Sequence, residues 1–408
     1  MSSAAKAIFL FDVDGVLVDP RAYKIGVGKT LEFLLAQTTK QDLSTLLPDE
    51  ADFAFMESRG IHDVWDMCNI MFALFVEQAW RTYASEFYRE QFPKNEILET
   101  LHAIRALSPT FKRPDYRKFA EQITLDHKHP PDNALALISQ SAQFAQDTNT
   151  SAWTQLLKGF LQSTRSVYGS FGTLVFQNII LGDAVFESTY QLQRACSSPS
   201  LIKTEDIVLL DAQMSAKILQ LNKQQSIHAG IYTARPSLPP PDIEERRGFS
   251  PEAEMAAEAA GLGELPLVGM GMMEWLASEH GERTEDLTKP NTTHSLSALI
   301  ATLKADRSSR ILELAYAYNK EKNLESTEEI STLLKKVNHI FVFEDTISGI
   351  KPMRAMSSQL NDAGFAIQIS PLGIARDAGK KSALEPNCEK VFDDINQALE
   401  YAFSKLKL

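Results

Sequence analysis

Two aspartates one residue apart, Asp12 and Asp14, break a short apolar run in "FLFDVDGVLVDP" (Phe9 to Pro20), and Gly15 follows at once. Paired carboxyls are the groups that attack electrophiles, move protons or hold a hard cation. The residues alone leave the choice among these open. A glycine beside them permits close backbone approach to an anion. Three later stretches carry complementary groups: Thr233 and Ala234 in "HAGIYTARP", Lys289 in "LTKPNTTHSL", and Glu344 with Asp345 in "HIFVFEDTISGIKP".

These groups need elements that bring them together. Ala7 to Phe11 reads as a short buried strand, and such strands deliver functional groups at their carboxyl ends. Further strands are expected at about 228–233, 266–271, 339–343, 365–370 and 390–393, with helices at about 251–260, 292–304, 349–363 and 395–406 between them. That alternation predicts an α/β fold with a Rossmann-like parallel sheet. Residues 306–338, rich in Glu, Lys and Ser, predict one or two further amphipathic helices with a solvated face.

Between the first strand and the rest, the chain is helical in pattern. Trp65, Cys68, Phe72, Phe75 and Ala79 recur at three- and four-residue intervals, as one helix face requires. The expected organisation is a sheet domain made of 1–20 and 223–408, interrupted by a large all-helical domain, 21–222. "LDHKHPPDN" near residue 130 reads as a loop between helices.

The composition is ordinary for a globular protein: 408 residues, 44% hydrophobic and 23% charged. A net charge of −12 argues against nucleic-acid binding, which draws on clustered Lys and Arg. The expected partner is a small molecule, not nucleic acid or a membrane. The N-terminal apolar run is too short for a signal-peptide core, and Met67 to Val76 is interrupted by Asn69 and ends at Glu77, short of a membrane span. Three widely spaced cysteines suggest no disulfide framework and fit a reducing cytoplasmic setting.

Taken in order, the four stretches resemble the motifs of the haloacid dehalogenase superfamily, in its branch of phosphoglycolate phosphatases and β-phosphoglucomutases with a helical cap. "FDVDG" resembles the first motif, Thr233 the second, Lys289 with Pro290 the third, and Glu344-Asp345 the acidic fourth. The resemblance covers the sheet domain and implies a Mg²⁺-dependent hydrolase acting on a small phosphorylated metabolite. It implies Asp12 as the nucleophile that forms an aspartyl phosphate and Asp14 as general acid and base. Thr233 and Lys289 would hold phosphoryl oxygens, with Gly15 and Ala234 lining the phosphate site. Mg²⁺ is expected on Asp12, the Asp14 carbonyl, Asp345 and Glu344. A sugar phosphomutase shares the same intermediate, and a non-catalytic phospho-ligand-binding protein is the reading from another class. Dehalogenation is less suited, because it has no call for Asp14.

Other features carry less. "IGVGKT" (Ile25 to Thr30) lacks the first glycine of a P-loop and is expected to be helix. His127 and His129 form a weak metal pair without a third ligand. In the helical insert, Arg59 is a candidate for meeting a second anionic group on the substrate, with His62, Asp63, Trp65, Tyr23 and Lys24 as further inner-surface candidates.

Overall fold

The computed structural model of the 408-residue chain describes residues 6–87, 97–124, 129–140, 151–321, 324–335 and 337–408. Among them the strands are β1 (Lys6–Phe11), β2 (Val18–Asp19), β3 (Ile207–Val208), β4 (Ile227–Tyr232), β5 (Leu267–Val268), β6 (Val337–Glu344), β7 (Gln368–Ile374) and β8 (Lys390–Phe392). Six of them form a sheet in the order β5-β4-β1-β6-β7-β8, and every pairing is parallel. Counted along the chain, this is the Rossmann order, whose winding reverses beside the first strand. The reversal falls between β1 and β6. There the crossovers leave in opposite directions and open a crevice at the carboxyl ends.

The alternation of β1 decides which layer each side chain enters. Phe9 and Phe11 point to one face, where they join Ile231, Phe341, Phe343 and the helices Ala212–Lys223, Glu252–Ala259 and Ile395–Leu406. Ile8 and Leu10 point to the other, among Tyr232, Ile340, Val342 and the helices Met270–His280, Thr292–Lys304 and Ile347–Asp362. Phe9 is fully buried, with ring centroids 5.2 Å from Phe341, 5.4 Å from Phe343 and 5.7 Å from Phe403.

The chain divides into two compact units, one of Met1–Pro20 with Glu205–Leu408, the other Arg21–Thr204. The boundary therefore falls earlier than the expected 223. Ala212–Lys223 belongs with the sheet because Ile218 is buried in the same core as Phe9. β2 and β3 pair antiparallel in a small ribbon of the sheet unit.

One expectation in the sheet unit is corrected. The strand expected at 266–271 stops at Val268, and Gly269 caps the helix Met270–His280. Residues 306–338 hold the expected amphipathic helices, Ser309–Tyr316 and Leu324–Leu334: Ile311, Leu312, Leu314, Ile330 and Leu334 enter the core, while Arg310, Glu328 and Thr332 are exposed. Both helices pack in the same core as Thr292–Lys304. In Thr292–Lys304 even Thr293, His294, Ser295 and Ser297 are buried.

The described part of the other unit is helical throughout, from Arg21–Ala36 to Leu201–Glu205. "IGVGKT" lies within the helix Arg21–Ala36, where Gly26 admits close packing: a Cβ there would lie 2.7 Å from Ile180. Pro130 begins a helix, Pro130–Ser139, where a loop was expected; proline suits a first helical position because that N–H has no partner to lose. His127 lies outside the described residues, and His129 faces the Asp66 carboxylate at 3.5 Å. Asp66 also accepts a hydrogen bond from the Thr164 hydroxyl at 2.6 Å. No helix among the described residues is long and apolar enough to cross a membrane.

Two outcomes follow for stability. Phe9→Ala should cost about 3–5 kcal/mol, the range for deleting a buried aromatic ring, as read by denaturant unfolding. Burial, reinforced by Asp63, pushes the Asp66 carboxyl up to about 7 from an unfolded value of 3.8. The fold thus favours the protonated form, so this contribution is complete below about pH 4 and is lost as pH rises through 7. Asp66→Asn keeps the acceptor for Thr164 without the charge. Its thermal midpoint should exceed that of the wild type at pH 8, and the gap should close on acidification.

Candidate active site

The loop after β1 places the first pair of acids. Asp12 continues the ladder, donating its backbone N–H to Phe343 O at 3.0 Å, so it stands beside the end of β6 and hence beside Glu344 and Asp345. The chain then turns tightly, with Leu17 N on Val13 O at 2.8 Å and Gly15 N on Val18 O at 2.7 Å. Gly15 has φ +72°, and a Cβ there would lie 2.2 Å from Asp345 Oδ2. Only glycine satisfies both the backbone angle and the contact.

Lys289 comes from the turn before Thr292–Lys304 and is buried against three groups. Its Nζ donates to Asp12 Oδ1 at 2.9 Å and to Glu344 Oε1 at 2.6 Å, and it lies 3.7 Å from the centroid of the Tyr232 ring. Burial works against its ammonium, but Asp12 and Glu344 outweigh that and raise its pKa. The turn is held by His294, whose Nδ1 accepts from the Lys289 backbone N–H at 3.3 Å while Nε2 meets Val268 O at 3.2 Å. Burial and the Lys289 charge lower the His294 pKa to about 3, which keeps the ring neutral and its Nδ1 an acceptor.

Glu344 is engaged on both oxygens. Oε1 takes Lys289 and the Tyr232 hydroxyl at 2.9 Å, and Oε2 takes the N–H groups of Asp345 and Thr346 at 3.1 and 3.2 Å and the Thr346 hydroxyl at 3.1 Å. Gly349 makes room for it, since a Cβ there would lie 1.6 Å from Oε1. Asp345 pairs with Lys380. A recess of about 180 Å³ lined by Gly15, Asp19, Arg376 and Lys380 lies beside it.

Asp12, Glu344 and Asp345 offer carboxylate oxygens within 4.8 Å of one another. Burial raises the Asp12 carboxyl well above its ordinary value, Glu344 adds to this, and Lys289 opposes it. Asp345 is raised to about 6 by burial, against the pull of Lys380. A hard divalent cation bound by oxygen ligands would favour the charged forms of these buried carboxyls. With Glu344 already satisfied by five donors, the oxygens open to such an ion belong to Asp12 and Asp345.

Thr233 directly follows β4 and is buried; its Oγ1 accepts the Arg235 N–H at 3.1 Å, which leaves its own O–H to donate. Ala234 is exposed at the same turn. The Asp14 side chain takes Nε and Nη2 of Arg235 on a single oxygen, Oδ1, at 2.9 and 2.6 Å. Arg59 belongs to the helical unit, where it caps the C-terminus of Glu50–Ser58 and is half-buried. Asp63 pairs with Arg165 at 3.2 Å and Lys24 with Glu57 at 3.3 Å, so these two candidates are engaged inside that unit.

Sequence reasoning missed Tyr232, Arg235, His294 and Lys380. Tyr232 and Arg235 flank Thr233 in "YTARP", and Lys380 is the third residue of the helix Ala378–Leu384.

No family model matches the chain, and no curated protein matches it. Among solved structures it is similar to a crystal structure determined as a Northeast Structural Genomics Consortium target, with TM-score 0.61 and 15% identity over 99% of this chain and 99% of that one. At that identity the likeness is one of fold.

Glu344 is the counter-ion and anchor of Lys289. Glu344→Gln should therefore destabilise the protein by about 3 kcal/mol, as expected when one partner of a buried ion pair is removed, with chemical denaturation as the measure.

Proposed function

We propose that this protein is a Mg²⁺-dependent phosphatase of small phosphorylated metabolites that works through an aspartyl phosphate on Asp12. The supporting observation is the convergence of Asp12, Lys289, Glu344 and Asp345, from three distant parts of the chain, at the carboxyl ends of β1 and β6. That is where open α/β sheets bind ligands. Stretches resembling the four motifs of the haloacid dehalogenase superfamily follow one another in order along the chain, around Asp12, Thr233, Lys289 and Glu344-Asp345, and on this reading the helical unit is the cap of such an enzyme.

Each group then has a task. Asp12, with Oδ1 held by Lys289, uses its other oxygen to attack phosphorus as the bond to the departing alcohol oxygen breaks. That oxygen takes a proton from Asp14. Water next attacks the phosphoryl group, gives its proton to Asp14, and the bond to Asp12 breaks with release of inorganic phosphate. Lys289 offsets the charge of nucleophile and phosphoryl oxygen together, and the Thr233 hydroxyl donates to a second phosphoryl oxygen. Gly15 keeps side chains out of the way of the phosphate. A magnesium ion held by Asp12 and Asp345 would neutralise phosphoryl charge.

A sugar phosphomutase would use the same aspartyl phosphate, and the two readings part at the fate of the phosphoryl group. The test is release of inorganic phosphate from an aryl phosphate. Asp12→Asn should abolish it, and removal of Mg²⁺ by chelation should lower it at least about a hundredfold, the scale of a lost electrostatic contribution. Undiminished turnover by the Asn variant would reject the assignment. Activity only with a bisphosphate activator, without net phosphate release, would turn the reading to a mutase.

A further inference from the structure

Arg235 is a charged side chain with 0% exposure, set in the middle of the candidate site and without a role in the chemistry just described. Its Nε and Nη2 both donate to Asp14 Oδ1, and Nη2 also donates to Asp206 Oδ2 at 3.0 Å. Its backbone is pinned on both sides, N–H to Thr233 Oγ1 at 3.1 Å and C=O to Met270 N at 3.1 Å. Asp14, by contrast, has a side chain 36% exposed, and Arg235 holds it by Oδ1. Asp206 immediately precedes β3, whose ribbon partner β2 closes the loop that carries Asp14.

We propose that Arg235 is a positioning residue that fixes Asp14 for proton transfer, a statement that rests on the phosphatase reading. A guanidinium has five donors and no acceptor. With two of these donors on Oδ1, a hydrogen on that oxygen would face N–H groups, so the exchangeable proton is confined to Oδ2. The same oxygen then releases the proton to the departing alcohol and recovers one from water. Neither step needs the carboxyl to rotate. Asp206 shares the guanidinium and holds it in the plane that both donors require. Lysine at 235 would bring the charge but one point-like donor instead of a fork.

The experiment compares Arg235→Lys, Arg235→Met, Asp14→Asn and the double variant Arg235→Lys/Asp14→Asn, using 4-nitrophenyl phosphate and phenyl phosphate with Mg²⁺. Arg235→Lys should lower kcat about a hundredfold, the scale of a misplaced catalytic group, with KM little changed. Phenyl phosphate, which has the poorer leaving group, should lose more than 4-nitrophenyl phosphate. With the latter, a burst of about one nitrophenolate per enzyme should precede slow turnover, because nitrophenolate leaves without a proton while water attack still needs Asp14. In the Asp14→Asn background the Arg235 change should cost nothing further. A wild-type kcat, a loss confined to KM, equal losses in both Asp14 backgrounds, or failure of both Arg235 variants to fold would overturn the role. If Asp12→Asn retains turnover, the phosphatase reading itself falls; if Asp12→Asn is inactive and Arg235→Lys matches the wild type, this inference alone falls.

Discussion

One buried ammonium organises the centre of the sheet unit. Lys289 sits between Asp12 and Glu344 under the Tyr232 ring, and moving any charge of this size out of water is unfavourable unless its partners are close and themselves satisfied. That condition propagates outward. Glu344 must be held by the turn that follows β6, Tyr232 must reach across from β4, and His294 must hold the backbone of the lysine turn. The result is a set of side chains from β1, β4, β6 and one helix N-terminus that are fixed by mutual need.

The parallel sheet makes that arrangement possible. Because β1 lies between β4 and β6, residues that leave these three strands emerge side by side at one edge. Phe9, Phe11, Phe341 and Phe343 give the strands an apolar backing on one face, and the helix Thr292–Lys304, buried from Thr293 to Thr302, gives another on the opposite face. Close packing on both sides of the sheet is what allows hydrogen bonds at its end to be held to tenths of an ångström.

The parts of this site that could be read in the sequence are those where a local pattern and a chemical type coincide. Asp12, Asp14, Thr233, Lys289, Glu344 and Asp345 each follow an apolar run or precede a helical one, and the structure joins Lys289 to Asp12 and Glu344, with the Asp345 carboxylate within 4.8 Å of the other two. The partners were not readable for the opposite reason. Arg235 looks like any charged residue in a proline-bearing loop, and its meaning depends on Asp14 and Asp206, which reach it only through tertiary folding. Tyr232 reads as the last apolar residue of a strand, though its hydroxyl is what matters. The helix Met270–His280 was hidden because "GMGMMEWLA" continues the apolar run of β5, and periodicity alone cannot distinguish a short strand from the start of a buried helix.

β2 and β3 lie antiparallel, Val18 opposite Val208 and Asp19 opposite Ile207, just where the polypeptide departs for residues 21–204 and comes back. The two ends of that long excursion are thus stitched together within the sheet unit itself. Whatever hangs from such a clasp can be lengthened, shortened or exchanged during evolution without disturbing the strand order or the aromatic layer beneath. The strands and their aromatic backing keep their places whatever becomes of the helices attached there.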